Sequence, residues 1–262
     1  MITVYGVPGW GSTISELMLS LADIPYEVVD VEGFDQPGPA RERLRQINPL
    51  CQVPTLRLAD GSIMTETAAI ALMILDQRPD LAPAPGTPQR PQFQRLLVWL
   101  VANVYPTFTY ADYPERWAPA AAEQLVENCR QYRKNLYLWF EQQLAAGPWA
   151  LGASVTLLDC YIAAMYRWGP RQAWFDDHAP KFAAIARAGL RVPEDISAVG
   201  YDGIPLAKMM IPSLTTYHQD TQAIGYWAAD RLVSLIEHPK TTLPESILIP
   251  GSLLEGASVR RI

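Results

Sequence analysis

Gln52-Val53-Pro54-Thr55-Leu56-Arg57-Leu58-Ala59-Asp60-Gly61-Ser62-Ile63-Met64-Thr65-Glu66-Thr67 decides the architecture of the first part of the chain. Val53 to Leu58 is mostly apolar and β-branched and reads as a strand. Asp60-Gly61 supplies hairpin chemistry, because this pair tolerates the positive φ of a tight antiparallel turn. Ser62-Ile63-Met64 is the short returning strand, and Glu66-Thr67 opens an apolar helix through Leu75. Upstream, Ile2-Thr3-Val4-Tyr5 and Tyr26-Glu27-Val28-Val29-Asp30-Val31 are strands. Between them Pro8-Gly9-Trp10-Gly11 breaks the chain, and Ile14, Leu17, Met18 and Leu21 follow at helical spacing. Ser12 or Thr13 is the expected N-cap of that helix. A Gly/Pro loop over 33–39 and a charged helical turn over 40–47 complete the segment. The order is strand–helix–strand, a hairpin, then a helix. A strand–helix–strand unit needs a parallel pair, whereas a hairpin adds antiparallel strands. The expected product is a small mixed sheet covered by helices, an α/β domain over residues 1–78.

Downstream, Pro79, Pro83, Pro85, Pro88 and Pro91 predict that 79–91 is a semi-rigid linker rather than regular structure. Residues 92–188 read as all-α. Arg95 to Tyr105 is apolar and aromatic, and Ala120 to Leu144 is a long amphipathic helix. Thr156 followed by Asp159 is a capping-box variant at the start of another helix. Lys181 to Ala188 begins a further one. After Ala188 the pattern changes. Ile196 to Tyr201 reads as a strand, Gln222 to Glu237 as a helix, Ile247 to Ile249 as a strand and the last ten residues as irregular. Residues 189–262 are therefore a separate α/β segment.

The bulk properties narrow the class. Of 262 residues 49% are hydrophobic and 18% charged, the balance of a globular chain rather than a disordered one. Net charge is −6, and neither part is basic, which argues against nucleic acid or anionic lipid as a partner. No apolar run approaches the roughly 18–20 residues that span a bilayer. The start enters a strand pattern directly, without signal-peptide character. Cys51, Cys129 and Cys160 are odd in number and far apart, with no metal spacing and no disulfide framework. A reducing cytoplasm is the expected location.

Residues 1–188 resemble the cytosolic glutathione S-transferases, especially bacterial ones. Pro8-Gly9-Trp10-Gly11-Ser12, Gln52-Val53-Pro54-Thr55-Leu56, Glu66-Thr67-Ala68-Ala69-Ile70 and Thr156-x-x-Asp159 carry the resemblance, in that order. It implies a thioredoxin-like N-terminal domain, a helical second domain that stops about one helix short, and a homodimer. It also implies glutathione as co-substrate, a small electrophile as partner and no metal. Glutathione's thiol must ionise to attack. A free thiol has a pKa of about 8.5, and each unit of lowering needs about 1.4 kcal/mol of preference for the thiolate. A hydrogen bond to a charged acceptor, roughly 1.5–3 kcal/mol, is of that size. By the resemblance Ser12 donates it; the other reading of Ser12 is a helix cap alone. Where the beta-class bacterial enzymes carry a cysteine before this serine, the chain has Gly11, which argues against a mixed-disulfide mechanism. Trp10 and Ser15 are the fallback residues.

The resemblance further implies a cis Val53–Pro54 bond that turns the Val53 backbone outward to pair with the cysteinyl backbone of glutathione. Glu66 would meet the γ-glutamyl ammonium and Thr67 its carboxylate; alternatively Glu66 is a helix-start carboxylate favoured by the dipole. Tyr105, Tyr110 and Trp117, with Phe108 and Tyr113 between them, would form the electrophile pocket; plain core is the competing reading.

Residues 189–262 resemble the C-terminal part of the effector-binding domain of lactose-repressor-type transcription factors, a periplasmic-binding-protein-like fold. Gly189-Leu190-Arg191-Val192-Pro193-Glu194-Asp195-Ile196-Ser197-Ala198-Val199-Gly200-Tyr201-Asp202 carries it, followed by Ile211-Pro212-Ser213-Leu214-Thr215-Thr216 and Gln219-Asp220. Asp202 matches a position that can bind a sugar hydroxyl. Most of both lobes is missing, so half a pocket remains and Asp202 reads as vestigial. Recombination, an erroneous joining of two reading frames and a deliberate chimera all fit such a junction. Three functions follow: a glutathione transferase carrying a repressor fragment, a non-catalytic glutathione-binding protein, or a fragment of a sugar-responsive regulator. The missing DNA-binding module argues against the third.

Overall fold

β1 (Ile2–Gly6) is buried along its length because it lies inside a four-stranded sheet of order β2-β1-β3-β4. The computed structural model describes residues 1–188, 199–202, 213–238, 248–257 and 259. β2 (Tyr26–Asp30) runs parallel to β1, with Ile2 opposite Tyr26. β3 (Thr55–Arg57) is antiparallel to β1, with Val4 opposite Leu56, and β4 (Ile63–Met64) closes the hairpin on β3. Gly61 at the turn has φ 87°, the left-handed conformation that Asp60-Gly61 announced.

Successive side chains of a strand point to opposite faces, and β1 uses both. Ile2 and Val4 join Ile14 and Met18 of α1 (Ser12–Leu21) and Ile70 and Ile74 of α3 (Thr67–Gln77) in the main core. Tyr5 and Val7 join Leu44 of α2 (Pro39–Arg45) in a smaller one, with Val31, Phe34 and Cys51. The main core continues into the helical part through Phe93, Tyr137, Phe140, Tyr161 and Phe182, all fully buried. That part comprises α4 (Gln89–Trp99), a π turn (Leu100–Val104), α5 (Tyr105–Asp112), α6 (Pro114–Trp117) and α7 (Ala122–Gln143). α8 (Leu157–Trp168), α9 (Gln172–His178) and α10 (Pro180–Ala188) complete it. Thr156 and Asp159 form the expected capping box at α8.

Several expectations need correction. The N-cap of α1 is Gly11, and no side chain caps it, because the Ser12 side chain is engaged elsewhere. The proline-rich stretch is not wholly irregular. Pro79–Leu81 is a 3-10 turn and α4 begins at Gln89, with Pro91 in its first turn, where a missing N–H costs nothing.

The chain divides into two compact units, Met1–Gly189 and Leu190–Ile262. In the second, β5 (Val199–Asp202) and β6 (Thr215–His218) pair in parallel, and β7 (Ser252–Leu254) is antiparallel to β6. Among the described residues of this unit, one helix spans Thr221–Glu237. Of the expected strand Ile196–Tyr201, residues 199–201 fall in β5, and residues 196–198 lie outside the described residues. The expected strand at Ile247–Ile249 is not formed. Leu248 and Ile249 are irregular, Ile247 lies outside the described residues, and the pairing segment sits later in the supposedly irregular end.

Candidate functional site

The loop Gly9–Gly11, the segment Cys51–Pro54, the start of α3 and the helical part between Val101 and Trp168 together line a cleft of about 760 Å³. That is the size of an ordinary small-ligand site. Val53–Pro54 is cis. Val53 lines the cleft, and among the described residues neither its N–H nor its C=O makes a hydrogen bond. The reason lies in its neighbours. Thr55 Oγ1 donates to Gln52 O at 2.8 Å and accepts from Asn48 Nδ2 at 2.9 Å, so the turn is held from behind without using Val53. Glu66, exposed, and Thr67, buried at the first position of α3, line the same cleft. Glu66 has φ 63°, outside helical geometry, and the free N–H groups of the first α3 turn follow it.

Ser12 is elsewhere. Its side chain is fully buried, its hydroxyl donates to Val7 O at 3.1 Å, and it accepts from Val7 N–H at 3.2 Å. Gly6 makes room for it, since a β-carbon there would collide with the Ser12 side chain. Ser12 thus ties the end of β1 to the start of α1 and does not line the cleft, which corrects its expected place at the thiol. Ser15 is also fully buried and absent from the lining. Trp10 does line it, half-exposed, with its ring edge-on to Phe34 at 5.9 Å.

Of the three aromatics expected in the electrophile pocket, only Tyr105 lines the cleft, joined by Phe108 and Tyr113. Tyr110 turns onto Trp117 instead, 4.8 Å between ring centroids, and neither reaches the lining. The period of α5 explains this: Tyr105, Phe108, Thr109 and Asp112 share one face, and Tyr110 falls off it. Burial raises the Tyr105 phenol well above its ordinary pKa, and the Glu66 carboxylate adds to the rise. Burial also raises the Asp112 carboxyl, against the opposing pull of Arg133 and Arg130.

The sequence reading missed Trp168 altogether. Its indole N–H donates to Gly9 O at 2.7 Å, and its ring meets Tyr105 at 5.9 Å and Phe108 at 5.4 Å, both edge-on. It also missed Arg41, Arg116 and Arg167 on the wall. Arg41 donates to Phe34 O at 2.9 Å, and Arg116 stacks over Tyr113 at 4.0 Å. No spacing in the sequence joins these arginines to α3, because they come from three separate elements. Cys51 is buried at the cleft margin, and all three cysteines are free.

Comparison with known proteins places both units. The family model of the glutathione S-transferase N-terminal domain matches residues 12–77, and that of a periplasmic binding protein-like domain matches 173–259. The chain is 65% identical over 194 residues to the GST-like protein YncG of Escherichia coli, covering 74% of this chain and 95% of YncG. Little of the transferase part is therefore missing relative to YncG. The ribose operon repressor of Escherichia coli is 45% identical over 77 residues, 29% of this chain and 23% of the repressor. Among solved structures, BphK, a bacterial GST solved as a ternary complex, superimposes with a TM-score of 0.60 and 26% identity over 72% of this chain and 94% of that one. A sphingomonad glutathione S-transferase complexed with glutathione gives 0.59 and 25%, over 73% and 94%. With about three quarters of the chain matching YncG almost end to end and sharing its architecture with these transferases, the chain belongs to the glutathione S-transferase family and carries a repressor-like segment joined to it.

Proposed function

We propose that the first unit binds glutathione in the cleft and activates its thiol for attack on a small electrophile. The observation that carries this reading is the Val53 backbone, whose N–H and C=O are both unpaired on the cleft wall. An extended peptide can add to such a free edge as a short strand, and the cysteinyl residue of glutathione is of the right kind. The start of α3 then receives the γ-glutamyl end: Glu66 faces the ammonium, while Thr67 and the free N–H groups of the first turn face the carboxylate. The thiol lies toward Gly11 and α5. Tyr105, Phe108, Tyr113 and Trp168 offer an apolar and aromatic wall to the electrophile. The thiol proton passes to water, the thiolate forms the new bond to carbon, and the leaving group departs with its electron pair. The protein acts in the cytoplasm as a homodimer, a state that light scattering of the full chain checks. The withdrawal of Ser12 favours a second reading, a glutathione-binding protein without transferase activity.

Two measurements separate these readings. Calorimetry with glutathione tests binding, and turnover of a chloronitrobenzene tests transfer. Glu66→Gln keeps the shape of the side chain and removes its charge. It should weaken glutathione binding about tenfold while changing turnover at saturating glutathione much less, since the ammonium is remote from the sulfur. Unaltered affinity in this variant would leave Glu66 as a helix-start residue only.

A further inference from the structure

With Ser12 turned away, a thiolate in the cleft needs another donor. Gly11 lies at the start of α1 on the cleft wall. A β-carbon built there would collide with the Tyr105 hydroxyl oxygen and come within 3.4 Å of Val53 O, and no other residue is among the nearest atoms. The space next to the free Val53 backbone, where a side chain at position 11 would stand, is therefore filled by a phenol hydroxyl from α5. Gly11 is what admits it. The ring is held edge-on against Trp168, and the hydroxyl makes no hydrogen bond among the described residues. The phenol keeps its proton at any working pH because burial, reinforced by Glu66, opposes ionisation. It is a fixed donor with an unused hydrogen, at the junction of Gly11 and Val53.

We propose that Tyr105 is a catalytic residue whose hydroxyl donates the hydrogen bond that holds the glutathione thiolate, from the space that a side chain at position 11 would otherwise occupy. This rests on the glutathione reading above. The thiol proton leaves to solvent, Tyr105 retains its own proton, and the sulfur lone pair forms the bond to the electrophile as the leaving group departs with its pair of electrons. The other charged groups on the cleft wall are Glu66, Arg41, Arg116, Arg167, Asp35 and Asp112. None of them is among the atoms nearest to the Gly11 position.

The test is Tyr105→Phe in the full chain, which keeps the ring on Trp168 and removes only the hydroxyl. Three quantities are read: glutathione affinity by calorimetry, the ultraviolet absorbance of the bound thiolate against pH without electrophile, and turnover of a chloronitrobenzene. Affinity should stay within about twofold. The midpoint of thiol ionisation should rise by about one to two pH units, and turnover near neutrality should fall about ten- to a hundredfold. Gly11→Ala, which displaces the hydroxyl while leaving the phenol in the chain, should reproduce both changes. An unchanged ionisation midpoint in Tyr105→Phe overturns the assignment, even if turnover falls, because the hydroxyl then serves the electrophile. Absence of glutathione binding by the unsubstituted protein overturns the glutathione reading itself and this assignment with it, and is distinguished by the calorimetry.

Discussion

At the scale of single residues, the sequence marked Ser12, and the structure sets its side chain against Val7 rather than on the cleft wall. Ser12 stands at the helix start, where a donor to sulfur was expected, but helix geometry turns its hydroxyl onto both backbone groups of Val7. The local sequence contains no signal for that, because the direction is set by the space left above Gly6 at the end of β1. Ser12→Ala would leave the buried Val7 N–H without a partner, while Val7 O keeps the bond from Trp10 N–H, and should cost on the order of 1–3 kcal/mol. A lowered melting temperature with turnover nearly unchanged in the folded fraction is the expected pair of results. A large loss of turnover at unchanged stability would return Ser12 to the chemistry. Gly11 was noticed as a departure from a cysteine pattern, yet its partner Tyr105 lies far along the chain in α5, out of reach of any local reading.

Among elements, what was legible was what is local. The hairpin announced by Asp60-Gly61, the first two strands and the capping box of α8 depend on residues close in sequence. Asp159 does more than cap: Oδ2 accepts from Thr156 N–H at 2.7 Å and from the Thr156 hydroxyl at 3.0 Å, and Oδ1 accepts from Ala150 N–H at 2.8 Å. It fastens the loop before α8 to the helix, and its carboxyl is almost wholly out of solvent. Asp159→Ala would strand two buried backbone donors and a hydroxyl, a loss of about 3 kcal/mol or more, which a denaturant titration would read as a lower midpoint at similar slope. The strands β6 and β7 escaped the sequence reading for the opposite reason: they are short, and only their pairing with each other and with β5 defines them. The face of α5 that lines the cleft was likewise set by packing on α7, so Tyr110 was chosen where Phe108 and Tyr113 stand.

For the whole molecule, the division into two units agrees with two unrelated sets of relatives. Every fully buried apolar side chain among the described residues lies between Ile2 and Ile185. The helix Thr221–Glu237 buries none of its residues, and Ile224, Leu232 and Ile236 are exposed. The segment corresponds to 23% of the ribose operon repressor, so most of the strands that would cover such a helix in a complete domain of that kind are absent from the match. The first unit is expected to draw its stability from its own buried core. A chain ended at residue 188 should melt within a few degrees of the full chain's main transition and bind glutathione with the same affinity. Loss of binding on shortening would mean that the appended unit completes the transferase part.

Trp168 is one of eight tryptophans, and it alone has its indole N–H on the Gly9 carbonyl beside Tyr105. Its ring is part of the wall that a ligand touches, while its nitrogen is tied to the loop that begins α1. The emission of an indole shifts with the polarity around it, so the protein carries its own optical gauge of occupancy. Filling the cleft changes the surroundings of this fluorophore and of Trp10, which lines the same cleft, and no label needs to be introduced to watch it fill.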